Sequence, residues 1–148
     1  MILEVEIEKS IARVLSDAVP DVAITITNKA SAPGLYHPVA SKEIILCFIN
    51  ETYSAFINEN NTLKSRQLRF YVVYYEQNLL DSQALEINVE KIRNALMSVK
   101  AVAGVTADAT LEVILSLTNV ARLPVGYVAT DLDGFIFTLE SNKLVRID

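Results

Sequence analysis

Residues able to do chemistry are few in this chain, and they are scattered. Asp131 and Asp133 stand two apart, followed by Gly134, in the run VATDLDGF (Val128–Phe135). Asp and Gly tolerate the positive φ of tight turns, so the residues alone read as a turn at Asp131–Gly134. His37 is the single histidine and Cys47 the single cysteine. A Ser–His–Asp triad or a Cys–His dyad would have to use His37, which lies in GLYHP with no nucleophile signature beside it. Cys47 sits in the apolar run Ile44–Ile49 and reads as a small buried hydrophobe. One His and one Cys cannot make a structural zinc site. The four glycines, Gly34, Gly104, Gly126 and Gly134, are too far apart to cradle a phosphate or a dinucleotide. Lys64, Arg66 and Arg69 gather beside Tyr71, a cluster smaller than a nucleic-acid strip, and they read as a solvated strand edge.

The run VATDLDGF resembles the nucleophile motif of haloacid-dehalogenase-like phosphatases, an apolar strand ending in D-x-D-G. In that family the first Asp attacks phosphorus, the second serves as acid and base, and Mg²⁺ neutralises the phosphate. The family's motif opens an α/β domain whose later elements supply a Lys and further acids. Here only fourteen residues follow Gly134, and Phe135 stands where the family usually has Thr. The rest of such a site has nowhere to come from, and no metal or other cofactor is expected.

Composition narrows the class. The chain has 148 residues, half of them hydrophobic, with a mean hydropathy of +0.31. That length suits one domain, 1–148, with a full core. A net charge of −5 and a pI near 4.9 give no basis for specific nucleic-acid binding, which rests on Lys and Arg at phosphates. The acidic start, MILEVEIEKS, is unlike a signal peptide. No apolar run approaches the ~20 residues of a membrane span. A lone thiol fits a reducing cytoplasm.

The elements that would position these residues follow from periodicity. Residues 2–18 read as a helix, with Leu3, Ile7, Ile11, Val14, Leu15 and Ala18 on one stripe and Pro20 ending it. Glu4, Glu6 and Glu8 read as a solvated face near its N-terminus. Val22–Thr27 is a strand, and Asn28–Ser41 is a loop holding Pro33, Gly34 and Pro38. Residues 43–77 form one long antiparallel hairpin with a kink near 51 and a mobile polar tip at Asn58–Thr62. Its second arm, RQLRFYVVYYE, is apolar on both faces and reads as a central strand. A second helix is expected over about 83–102, with the seam Leu85, Val89, Ile92, Leu96 and Val99 and with Gly104 just past its end. Glu90 and Arg93 are placed to pair on its outer face. Strands follow at Glu112–Thr118, Leu123–Ala129 and Phe135–Leu139, the last extended by Leu144–Ile147. The expected fold is α+β, a mainly antiparallel sheet with two amphipathic helices packed on it.

This order of elements resembles the Mu-like phage tail protein family related to tail terminators. The matching stretches are IILCF, SRQLRFYVVYYEQNL (Ser65–Leu79) and VEKIRNAL (Val89–Leu96), and the likeness covers about two thirds of the chain. The motifs are hydrophobic patterns, so no catalytic residue carries over. The resemblance implies a non-enzymatic structural protein of a phage or prophage tail. It implies a homo-oligomeric ring, of six on first expectation, capping the tail tube beside tube or sheath proteins. Such a protein would be cytoplasmic during assembly and then part of the virion tail or a tail-like particle. The DLDGF segment and the length of Asn58–Ser65 depart from the family pattern.

A ring needs two different complementary patches on each subunit. One candidate is the tip, Asn58, Glu59, Asn60, Asn61 and Thr62. The other is the outer sheet face of Tyr71, Val73 and Tyr75, since tyrosines bury a ring while keeping a polar end. The first helix covering those tyrosines within one subunit is the competing arrangement. A different class of function also fits the composition: a small α+β regulatory domain that binds a ligand or partner.

Overall fold

The computed structural model describes residues 4–27, 42–77, 82–106, 109–123 and 132–146. His37 and Asp131, the expected loop 28–41, and most of the expected strand Leu123–Ala129 lie outside them. The elements run α1 (Glu4–Ala18), β1 (Ala23–Thr27), β2 (Lys42–Tyr53), β3 (Leu63–Gln77), α2 (Ser82–Leu96), β4 (Ser98–Thr106), β5 (Ala109–Arg122) and β6 (Leu132–Arg146).

All six strands belong to one sheet, in the order β1-β2-β3-β6-β5-β4. The sheet is mixed. β1 runs parallel to β2, while the other four pairings are antiparallel. A parallel neighbour needs a long return connection, and the segment 28–41 supplies its length. β3 lies between β2 and β6, paired along its whole run with β6, as its two apolar faces require. It is therefore no edge. Alternation sends Lys64 and Arg66 to one face and Arg69 and Tyr71 to the other, so the basic residues do not form one cluster.

Both helices lie on the face that carries Leu68, Phe70, Val72 and Tyr74. Ile7, Ile11 and Leu15 of α1 are buried there with Leu85, Val89, Ile92 and Leu96 of α2. The helical spacing of three or four residues stacks each set along one stripe. Phe48 and Phe70 meet across β2 and β3 with ring centroids 5.3 Å apart. The α1 helix touches β4 at one edge of the sheet and β1 and β2 at the other. The sheet therefore curls around it. Glu8, expected on a solvated face, is buried.

Three boundaries differ from the sequence expectation. The second helix ends at Leu96, and Ser98 already opens β4. Val99 keeps its place in the core because β4 sets it beside Leu115 of β5. The kink in β2 is a bulge between Phe48 and Asn50, which brings Glu51 opposite Leu68. The expected turn at Asp131–Gly134 gives way to strand from Leu132 onward, with Asp133 opposite Glu76 and Gly134 opposite Tyr75. Gly134 serves close approach here. A Cβ on it would collide with the Tyr74 carbonyl oxygen and lie 2.8 Å from Tyr75 Cα and 2.9 Å from Leu123 Cδ1.

Candidate functional site

The hairpin of β2 and β3 ends in a turn built by Asn58. Its Oδ1 accepts the N–H groups of Thr62 at 2.9 Å and Leu63 at 3.0 Å, and its Nδ2 donates to Thr62 Oγ1 at 2.6 Å. Asn61 takes a positive φ of 53°, which Asn tolerates better than most residues. Below the turn, Ile57 N donates to Leu63 O and Ser54 N to Ser65 O, both at 2.9 Å. The tip expected to be mobile is thus laced by hydrogen bonds. Glu59, Asn60 and Asn61 are exposed, and Asn58 and Thr62 are half-buried.

Apolar side chains flank this turn. Tyr53 is 54% exposed, Phe56 42% and Ile57 57%. Lys64 lies over the Phe56 ring at 4.6 Å. The Glu51 carboxylate accepts from Tyr53 Oη and from the buried Arg66 guanidinium. These two contacts, the tyrosine's first, hold Glu51 below the usual carboxylate range, and the Glu51 carboxylate raises Tyr53. The base of the hairpin is thereby fixed beneath an exposed apolar rim.

The second sequence candidate behaves differently. Val73 and Tyr75 are buried within the chain, packed with Ile45, Leu123 and Ile136. Tyr75 Oη donates to the buried Glu43 carboxylate at 2.6 Å. The helices pack on the opposite face, the one that carries Tyr74. Val73 and Tyr75 thus present no surface to a partner, and only Tyr71, half-buried, is partly accessible. The alternation was legible, but the residues that bury this face lie far along the chain.

A groove that the sequence did not suggest opens between α1 and β1. It has a volume of about 430 Å³ and is lined by Lys9, Ala12, Arg13, Ser16, Ile24 and Ile26. Ile26 is 40% exposed. Ile24 and Ile26 pair with Ile44 and Leu46 and so face the helix layer, where α1 lies against the sheet's edge strand.

Among the described residues, the groups singled out for chemistry are held in structural roles. Burial pushes the Cys47 thiol up to about 11, so little thiolate exists near neutrality. Asp133 is in an ion pair with Arg122 and accepts the Gly134 N–H at 2.9 Å. Arg66 pairs with Glu51, and Arg69 with Glu140 at 3.0 Å. Among the described residues no three His, Cys, Asp or Glu side chains gather to hold a metal ion. No described helix is long and apolar enough to cross a membrane.

No family model matches the sequence, and no curated protein matches it. A solved structure does. The chain is similar to one from the virion of a native gene transfer agent particle, at 10% identity and a TM-score of 0.52, covering 95% of this chain and 94% of that one. At that identity the likeness is one of fold, and it runs nearly end to end in both chains.

Proposed function

We propose that this chain is a non-enzymatic structural subunit of a phage or prophage tail. In this reading it is terminator-like and closes into a ring, of six subunits, on the end of the tail tube. Its partners are further copies of itself and the tube or sheath proteins. It is cytoplasmic during assembly and then part of the tail or tail-like particle. The observation that carries the reading is the end-to-end fold likeness to a chain from the virion of a gene transfer agent particle. The stretches IILCF, SRQLRFYVVYYEQNL and VEKIRNAL point the same way. The rim of Tyr53, Phe56 and Ile57 supports it too, because it leaves apolar surface for an assembly to bury.

The test is the purified protein mixed with its tube partner, followed by light scattering and electron microscopy. The expected result is a defined ring or a capped tube end. If neither forms, the tail reading gives way to a second one, a small partner- or ligand-binding domain. The groove between α1 and β1 favours that alternative, since about 430 Å³ falls in the range of small-ligand clefts.

A further inference from the structure

The groove beside α1 has a definite electrostatic character. Lys9 and Arg13 stand one turn apart on the exposed side of the helix, and both line it, while none of its described lining residues is an acid. Among the described residues neither cation is in an ion pair. Its floor is apolar, from Ala12, Ile24 and Ile26. On a chain of net charge −5, a cationic groove with an apolar floor selects an acidic segment that carries apolar side chains.

The hairpin tip has that chemistry. Between Ser54 and Thr62 the single charged residue is Glu59, which is exposed. Phe56 and Ile57 stand beside it with much of their surface in water. The hydrogen bonds around Asn58 hold this segment in one shape, so docking it costs little ordering entropy. Within one molecule the two surfaces cannot meet. Ile26 pairs with Leu46, and from there β2 runs about 23 Å to its end at Tyr53 at the usual rise of a strand. A tip that fits the groove must reach the groove of another copy.

We propose that the hairpin tip of one copy seats in the α1–β1 groove of the next, with Phe56 and Ile57 on Ala12, Ile24 and Ile26 and with Glu59 against Lys9 and Arg13. This inference rests on the assembly reading above and deepens it. The contact joins two different patches, so it is head-to-tail. Such contacts repeat into a closed ring when the rotation closes.

Cysteine capture tests the contact. One variant carries Ser16→Cys in the groove and another carries Asn60→Cys on the tip, with the buried Cys47 left in place. Mixed and oxidised, the two should give a crosslinked dimer that neither gives alone. Adding Arg13→Glu to the groove variant should lower the yield about tenfold, and Glu59→Lys on the tip variant should restore it. A mixture that stays monomeric overturns the proposal. So does crosslinking equally strong in the single-variant controls, or a yield indifferent to Arg13→Glu. The particle experiment separates this from the reading beneath it. A ring or capped tube without tip–groove capture rejects this contact and keeps the assembly, whereas failure of both rejects the assembly reading itself.

Discussion

Gly134 and Tyr74 show how single residues fix this sheet. Gly134 lies where β6 passes close to the backbone of β3, and neither neighbouring atom, the Tyr74 carbonyl oxygen or Tyr75 Cα, belongs to a flexible side chain that can yield. Gly134→Ala should therefore cost roughly 1–3 kcal/mol of overpacking, read as a lower midpoint in denaturant titration. An unchanged midpoint would mean that the strands separate freely there. Tyr74 donates to Glu76 and accepts from Asn88 Nδ2 at 2.9 Å. Burial first, and the Glu76 hydrogen bond second, raise the Tyr74 hydroxyl above its ordinary value of 10.0. A raised folded pKa gives stability that is complete below the unfolded value and lost as pH rises through the folded one. Cys47, raised from 9.0 to about 11 by burial, has the same sign. Stability should hold to about pH 9 and fall above it, in the window set by these two groups. Tyr74→Phe should flatten the part of that fall above pH 10, as measured by denaturation midpoints at pH 9, 10, 11 and 12. An equally steep alkaline loss in the variant would assign it elsewhere.

At the scale of elements, the hairpin depends on Asn58 as a helix depends on its cap. One side chain closes two backbone N–H groups and one hydroxyl. Asn58→Ala should cost about 1 kcal/mol and speed hydrogen exchange at the Thr62 and Leu63 amides while leaving Phe70 and Val72 protected. Uniform loss of protection along β3 would show that the turn is coupled to the core. Much of this architecture was readable beforehand because local pattern and burial agree. Strand β3 is apolar on both faces and is central, and α1 stacks Ile7, Ile11 and Leu15 at helical spacing. The helix–strand boundary at Leu96 was not readable, because Val99 fits the helical seam and also reaches the same core from β4. The DLDG segment misled in a similar way, since Gly permits both a turn and a close strand crossing. Of the candidate site, the polar tip was legible from NENNT. Its apolar rim was not, because Phe56 and Ile57 look like core in sequence. The groove depends on α1 and β1 meeting at the sheet edge, and no local pattern encodes that meeting.

For the whole molecule, the decisive contact is the one α1 makes with both edges of the sheet. It lies against β1 and β2, its neighbours in sequence, and also against β4, which begins about eighty residues after α1 ends. A helix clasped this way ties the first and last parts of the sheet into one core. The chain should then unfold in a single cooperative transition across 1–148. The sequence has no tryptophan and six tyrosines, two of which, Tyr74 and Tyr75, are fully buried on opposite faces of β3. Near-ultraviolet circular dichroism of these tyrosines and far-ultraviolet signal from the backbone should share one midpoint. Ile11, fully buried on α1, lies far from the Tyr75 face, yet Ile11→Ala should shift both signals together. The expected loss is about 2–5 kcal/mol for a core isoleucine truncated in place. The alternative arrangement, in which α1 is an appendage on a sheet that stands alone, predicts otherwise. There Ile11→Ala would remove helical signal at low denaturant while the tyrosine transition stayed where it was. Coincident transitions in both proteins would establish that the clasp of α1, rather than the sheet by itself, sets the stability of the fold.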